Sequence, residues 1–293
     1  MEHCRFAAPL SAEAYARCFA SFKQISNEWE AMLRWLRDEL PARLSPQGTL
    51  RVLSVGSGTG DFDFRLLEVL RQKYAAIEYV TIEPNPLECR ELEKRIVSHP
   101  DSQVRFEVCP VTFEAFATRK RFDLIHLTHC LYYIHDHERA IRACLELLTD
   151  HGRALIFHQT TKGINQIQHT FMKRVKGTEA EMFSSKEIER ILLNLGITYQ
   201  LDIIDSFLDV TPCFEAASEI GKNLWCFLLE CDVRPLLPEI REEIVNYLEG
   251  LCLEAEGCKL LYHPVAVFSL FKGGHTPPEQ LNPIKPGCQN DRG

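Results

Sequence analysis

Three glycines at alternate positions, Gly56, Gly58 and Gly60, end the apolar run LRVLSVG and open the helical pattern DFDFRLLEVLRQKYA. Glycine at every second position frees the backbone for turns that side chains resist and lets a ligand approach the main chain. A strand, a glycine turn and a helix make the first half of a βαβ unit. The chain repeats the alternation with EYVTIEP (strand), PLECRELEKRIVSH (helix), VRFEVCP (strand) and FDLIHLTHCLYYI (strand with its exit loop). ERAIRACLELLT (helix), the turn HGR and ALIFHQT (strand) follow. Strands alternating with helices predict a mostly parallel sheet with helices on both faces.

Ahead of this core, apolar residues recur at helical spacing from 12 to 43. Ser26 and Asn27 are cap residues that break the run into two helices meeting beside Glu28. Beyond the core, SSKEIERILLNLGI reads as a helix and TYQLDIIDSFLDV as one long strand. Residues 214–256 read as helical, and KLLYHPVAVFSLFK as a final strand. From Gly273 onward no apolar period survives, which predicts a disordered tail over 273–293.

Composition narrows the function classes. A net charge of −8 with no Lys/Arg-rich run argues against nucleic acid as a partner. No apolar run approaches the ~20 residues that span a bilayer, and the N-terminus lacks a secretory pattern. The 12 cysteines form no C-x-x-C pair or zinc-like spacing, so no metal site is predicted and reduced cytoplasmic thiols are expected.

The glycine turn is G-x-G-x-G. A dinucleotide fingerprint needs its last glycine one residue later, where Asp61 stands, and no Gly-Lys-Ser/Thr follows to make a P-loop. Glu83 ends the second strand, where an acid is placed to accept ribose hydroxyls. No Lys or Arg lies between Leu53 and Phe64 to neutralise a pyrophosphate. A nucleoside with a zwitterionic or cationic arm satisfies these conditions, and S-adenosylmethionine is such a molecule. A tight turn without a ligand, and a Glu83 that caps the helix after Pro84, remain as structural alternatives.

These features, with HCLYYIHD, SSKEIERILLNLG, NLWCFLLE and YARCFASFKQISNEWEAM, make residues 12–272 resemble class I S-adenosylmethionine-dependent methyltransferases. The resemblance is closer still to the histamine N-methyltransferase family. It implies a Rossmann-like seven-stranded sheet, mostly parallel with the last strand antiparallel, an N-terminal helical cap and a helical insertion before the last strand. The implied organisation is one domain over 1–272: cap 1–48, cofactor-binding core 49–162, acceptor side 163–272. It implies Gly56, Gly58, Gly60, Glu83, Glu88, Thr112 and Thr128 as cofactor-binding residues, and Glu28, His129, Tyr132 and His263 as acceptor-binding residues. Where the family has glutamine, this chain has His129 and Glu88. Where it has a final-strand asparagine, the chain has His263 or Pro264.

Methyl transfer from a sulfonium to a neutral nitrogen needs placement more than a strong base. The expectation is therefore a monomeric, cytoplasmic S-adenosylmethionine-dependent N-methyltransferase for a small amine or imidazole, positioned by Glu28 and His129. The alternatives are methylation of another small nucleophile, and a cofactor-binding fold without turnover.

Overall fold

The computed structural model describes residues 6–44, 48–177 and 183–272. The tail predicted over 273–293 lies outside the described residues. Helices α1 (Ala12–Ile25) and α2 (Glu28–Arg43) lead into β1 (Leu50–Val55), α3 (Asp61–Arg71), β2 (Ile77–Ile82), α4 (Pro86–Ser98) and β3 (Val104–Cys109). Then come β4 (Phe122–Thr128), α5 (His137–Leu147), β5 (Leu148–Gln159), α6 (Ile164–Lys176), α7 (Ser185–Asn194) and β6 (Tyr199–Ile204). The chain finishes with β7 (Phe207–Asp209), α8 (Glu219–Leu229), α9 (Pro238–Leu251), β8 (Cys252–Ala255), β9 (Cys258–Tyr262) and β10 (Val265–Leu270).

The main sheet has seven strands in the order β3-β2-β1-β4-β5-β10-β6, with β10 antiparallel to both neighbours. This is the Rossmann-like methyltransferase fold. Neighbouring strand residues point to opposite faces. Leu53, Ile125 and Leu127 pack toward Ile141, Cys144 and Ile188, while Val52 and Leu124 pack toward Met32, Leu36, Phe62 and Leu66. A separate core, with Phe22, Phe171, Leu224 and Leu248, joins α1, α6, α8 and α9 to the small sheet β7-β9-β8.

Several elements differ from the sequence reading, and two of the differences have one cause. The long strand 198–210 breaks at Asp205–Ser206 into β6 and β7, and the final strand breaks at His263–Pro264 into β9 and β10. Each break carries the chain from one sheet to the other. They lie side by side: the His263 amide donates to the Ser206 carbonyl (2.9 Å), and the Ser206 hydroxyl donates to the His263 carbonyl. Pro264 has no amide to extend a ladder, which suits it to this corner.

Of the two helical segments read within 214–256, the second ends at Leu251 rather than running to 256, because Cys252–Ala255 pairs with β9. Helix α6, not foreseen in the amide-rich run INQIQHT, is bounded by Gly163 (φ 63°) and Gly177 (φ 75°). The HGR turn is part of β5, which shifts register against β4 between Phe122 and Leu124.

Candidate active site

The glycine turn sits where β1 leaves the middle of the sheet. Gly56, Gly58 and Gly60 have φ of +71°, +54° and +77°, a region that costs an L-residue roughly 1–2 kcal/mol. Space is as restrictive as conformation. A Cβ on Gly56 would lie 2.6 Å from the Cys130 Cβ, and one on Gly60 2.5 Å from Leu92. At Gly58 the nearest atom would be a Glu88 carboxylate oxygen, at 3.2 Å.

Glu83 is buried at the end of β2. Its Oε2 accepts the Gly58 amide (2.9 Å) and its Oε1 the Asn85 amide (2.8 Å), so each oxygen keeps a lone pair for a further donor. Asn85, not Glu83, caps the following helix, by accepting from the Leu87 amide. Burial, with the nearby Glu83 charge, raises the Glu88 carboxyl above its ordinary value.

The first-turn amides of α3 have no intrahelical acceptors, and the Ser57 hydroxyl is buried without a hydrogen-bond partner. Thr128 ends β4 beside Gly56. Thr112 stands exposed beyond β3 and makes no side-chain cap to the turn that follows it. Spare carboxylate lone pairs, orphan amides and an unpartnered hydroxyl fit the ribose and amino-acid groups of S-adenosylmethionine.

Glu28 starts α2, where the helix dipole favours an anion, and it is only 3% exposed. The break before it is stitched to β7. Asn27 Oδ1 accepts the Phe207 amide (2.8 Å), the Asn27 amide donates to the Phe207 carbonyl (3.2 Å), and the Glu28 amide donates to the Ser26 hydroxyl (3.1 Å). Because Ser206 is tied to His263, this stitching brings Glu28 against His263, with Oε2 3.2 Å from Nε2. On the other side Oε1 lies 3.2 Å from His129 Nε2. Neither contact has hydrogen-bond alignment, and both Glu28 Oε2 and His129 Nε2 are buried without a hydrogen-bond partner. Burial alone would raise the Glu28 carboxyl, but the two imidazoles outweigh it and hold the group well below the usual carboxylate range.

His129 follows the last residue of β4 and keeps its ladder bond to the Phe157 carbonyl (3.1 Å). Its φ of +49° is uncommon for a non-glycine residue and is the kind of local strain found at sites. His263 Nδ1 accepts the Ile164 amide (3.4 Å), which leaves the ring proton on Nε2, facing Glu28. The structure thus brings Glu28, His129 and His263 together. Tyr132 is 39% exposed and its ring lies 5.2 Å from that of His158.

His158 was not singled out in the sequence. It is fully buried on β5, donates from Nε2 to the Phe183 carbonyl (3.0 Å), and stacks 6.4 Å from His129. Burial, reinforced by His129, pushes its imidazole down to about 3. The only sequence signal for it was a histidine inside the apolar run ALIFHQT.

A parallel α/β sheet with this turn and acid defines a class I methyltransferase, and the comparisons agree. The methyltransferase domain family matches residues 24–200; the chain belongs to that family and is an S-adenosylmethionine-dependent methyltransferase. It is 25% identical to the histamine N-methyltransferase of Cavia porcellus over 254 residues, covering 80% of this chain and 87% of that protein. It is 28% identical to carnosine N-methyltransferase 2 of Gallus gallus over 235 residues, covering 75% and 73%.

Among solved structures, the fold is shared with the YcgJ protein of Bacillus subtilis (TM-score 0.51, 14% identity, 84% of this chain and 98% of that one). It is also shared with the plantazolicin methyltransferase BpumL in complex with SAH (TM-score 0.50, 11% identity, 89% and 92%). Among the described residues no helix is long and apolar enough to cross a membrane.

Proposed function

We propose that the chain transfers the methyl group to a nitrogen of a small cationic amine or imidazole held by Glu28, His129 and His263. The observation that carries this reading is the buried Glu28 carboxylate, kept ionised between two imidazoles and with an oxygen that lacks an aligned donor. An ammonium or ring N–H supplies such a donor. The named activities of the guinea-pig and chicken relatives support a small nitrogen acceptor.

When bound, S-adenosylmethionine supplies a methyl carbon already activated by its sulfonium. The chain's own contribution is placement. Glu28 anchors the acceptor's positive end, and His263, with its proton on Nε2, lies 3.2 Å from the carboxylate's Oε2. His129 sits at the strand end between the acceptor anchor and the glycine turn. An imidazole beside an ionised carboxylate can also take the proton that a methylated N–H acceptor releases, which a glutamine cannot do.

Glu28→Gln keeps the shape of the anchor and removes its charge. Losing a charge-assisted hydrogen bond costs about 1.5–3 kcal/mol, so kcat/KM for a cationic acceptor should fall roughly 10- to 150-fold. A panel of cationic and neutral acceptors with labelled cofactor measures it. Equal losses on charged and neutral acceptors would defeat the assignment.

A further inference from the structure

Behind the site runs a second polar chain that the acceptor chemistry does not use. Asp63 in the first turn of α3, Tyr79 in the middle of β2 and His126 in β4 are all almost fully buried. The Tyr79 hydroxyl donates to Asp63 Oδ1 (2.9 Å) and lies 2.9 Å from His126 Nε2. His126 Nδ1 lies 3.1 Å from the hydroxyl of Thr128.

Donor accounting fixes every proton in this chain. Tyr79 has one hydrogen and gives it to the carboxylate, so its oxygen can only accept from His126. His126 therefore carries its proton on Nε2, which also lies 3.6 Å from Asp63 Oδ1. Burial favours the neutral imidazole, and its Nδ1 is then a bare acceptor. Thr128 must turn its hydroxyl hydrogen inward to meet it. What remains of that oxygen is lone pairs only.

The sheet says which part of the cofactor these lone pairs meet. Val55 and Leu127 are paired in register, so Gly56 and Thr128 stand next to each other where β1 and β4 end. Glu83 ends β2, on the far side of β1. Two strand spacings, roughly 10 Å, separate the Glu83 and Thr128 positions. The orphan amides of α3 and the unpartnered Ser57 hydroxyl, groups suited to a carboxylate, follow β1. A cofactor with its ribose at Glu83 then extends its amino-acid arm toward β4.

We infer that Thr128, its hydroxyl oriented by the buried chain Asp63–Tyr79–His126, is an acceptor-only contact for the α-ammonium of the cofactor's amino-acid arm. The three residues behind it are positioning residues. They make the site select a donor at this place, because an acceptor group would face lone pairs with no hydrogen between them.

The test is calorimetry on the full chain with two ligands: S-adenosylhomocysteine and its desamino analogue, which keeps the carboxylate and lacks only the nitrogen. Thr128→Val removes the acceptor without changing shape. It should weaken S-adenosylhomocysteine roughly tenfold or more, the cost of a hydrogen bond to a charged group, and leave the desamino analogue unchanged. Thr128→Ser should restore the wild-type pattern. Tyr79→Phe releases the His126 proton, so the Thr128 hydrogen is no longer forced inward; it should give a smaller loss, roughly three- to tenfold, again on S-adenosylhomocysteine alone. A melting curve for each variant reports folding separately. Equal weakening of both ligands by Thr128→Val, or no weakening of either, overturns the contact. A Tyr79→Phe protein that melts lower yet binds both ligands as wild type does would reduce the buried chain to a structural tie.

Discussion

The two halves of the site solve the same problem, a buried carboxylate, in opposite ways. Glu83 is satisfied by backbone amides at Gly58 and Asn85, groups fixed by the turn that precedes it and the loop that follows it. Glu28 is flanked by side chains alone, from His129 and His263, contributed by chain segments more than one hundred residues away. A main-chain cradle tolerates change around it as long as the turn is kept. A side-chain clamp can be retuned by one substitution. The contrast suits the proposed division of the site, with a cofactor set by the family and an acceptor held at Glu28.

The sharpest way to break the comparison is to alter the turn. Gly56→Ala places a methyl group at φ +71° and 2.6 Å from the Cys130 Cβ, an atom bonded directly to backbone that cannot swing away. The conformational cost of roughly 1–2 kcal/mol and an overpacking cost of about 1–3 kcal/mol give a destabilisation of about 2–5 kcal/mol. Urea unfolding measures it, and S-adenosylhomocysteine binding should be lost with it. Gly257→Ala is the control. Its φ is +81° but its Cβ would meet open space, so only the conformational part, roughly 1–2 kcal/mol, applies. Equal costs at the two positions would mean that the close approach to Cys130 is unimportant.

The same contrast explains what could be read before the structure. Gly56, Gly58, Gly60 and Glu83 lie within a short stretch whose spacing carries its own geometry, and the alternation around them implied a mostly parallel sheet with helices on both faces. The meeting of Glu28 with His263 depends on Asn27 binding Phe207 and Ser206 binding His263, two long-range contacts with no periodic signature. Reading residues 198–210 as a single strand hid that crossing. The family resemblance placed Glu28, His129 and His263 as acceptor residues without indicating that they touch. Asp63, Tyr79, His126 and His158 escaped notice because each sits within an ordinary amphipathic or apolar run, where a polar residue gives no sign of its partners.

Acid exposes the acceptor half next. His158 has its folded-state value lowered to about 3, so the unfolded chain binds its proton first. A lowered histidine leaves stability intact above the unfolded value of about 6.5 and removes it progressively as pH falls toward 3. At pH 5 the loss should be about 2 kcal/mol. His158→Gln should flatten that part of the profile in thermal melts between pH 7 and 5. Glu28 acts in a lower window. Its folded-state value is held below the ordinary one, so its contribution is full above the unfolded value of about 4.3 and drains away only as pH falls further. A His158→Gln profile that overlays wild type between pH 7 and 5 would mean that water reaches this imidazole in solution.

The smallest expected effect sharpens the contrast from the cofactor side. Glu83→Gln keeps one acceptor oxygen and most of the shape, but it replaces the other acceptor by a donor that faces a backbone amide. Reduced pairing to the ribose hydroxyls should weaken S-adenosylhomocysteine by about tenfold, or about 1.4 kcal/mol. Because that loss arises at the sugar, it should appear in every reaction at subsaturating cofactor and should not change the ranking of acceptors. Glu28→Gln should do the reverse, reordering acceptors by charge while leaving S-adenosylhomocysteine affinity near wild type. The double variant then tests whether the two carboxylates act independently. With no shared partner between them, the two free-energy losses in kcat/KM should add to within about 0.5 kcal/mol. A larger departure would mean that the turn and the clamp communicate, and His129, which follows Thr128 at the end of β4, is the residue through which that coupling would pass.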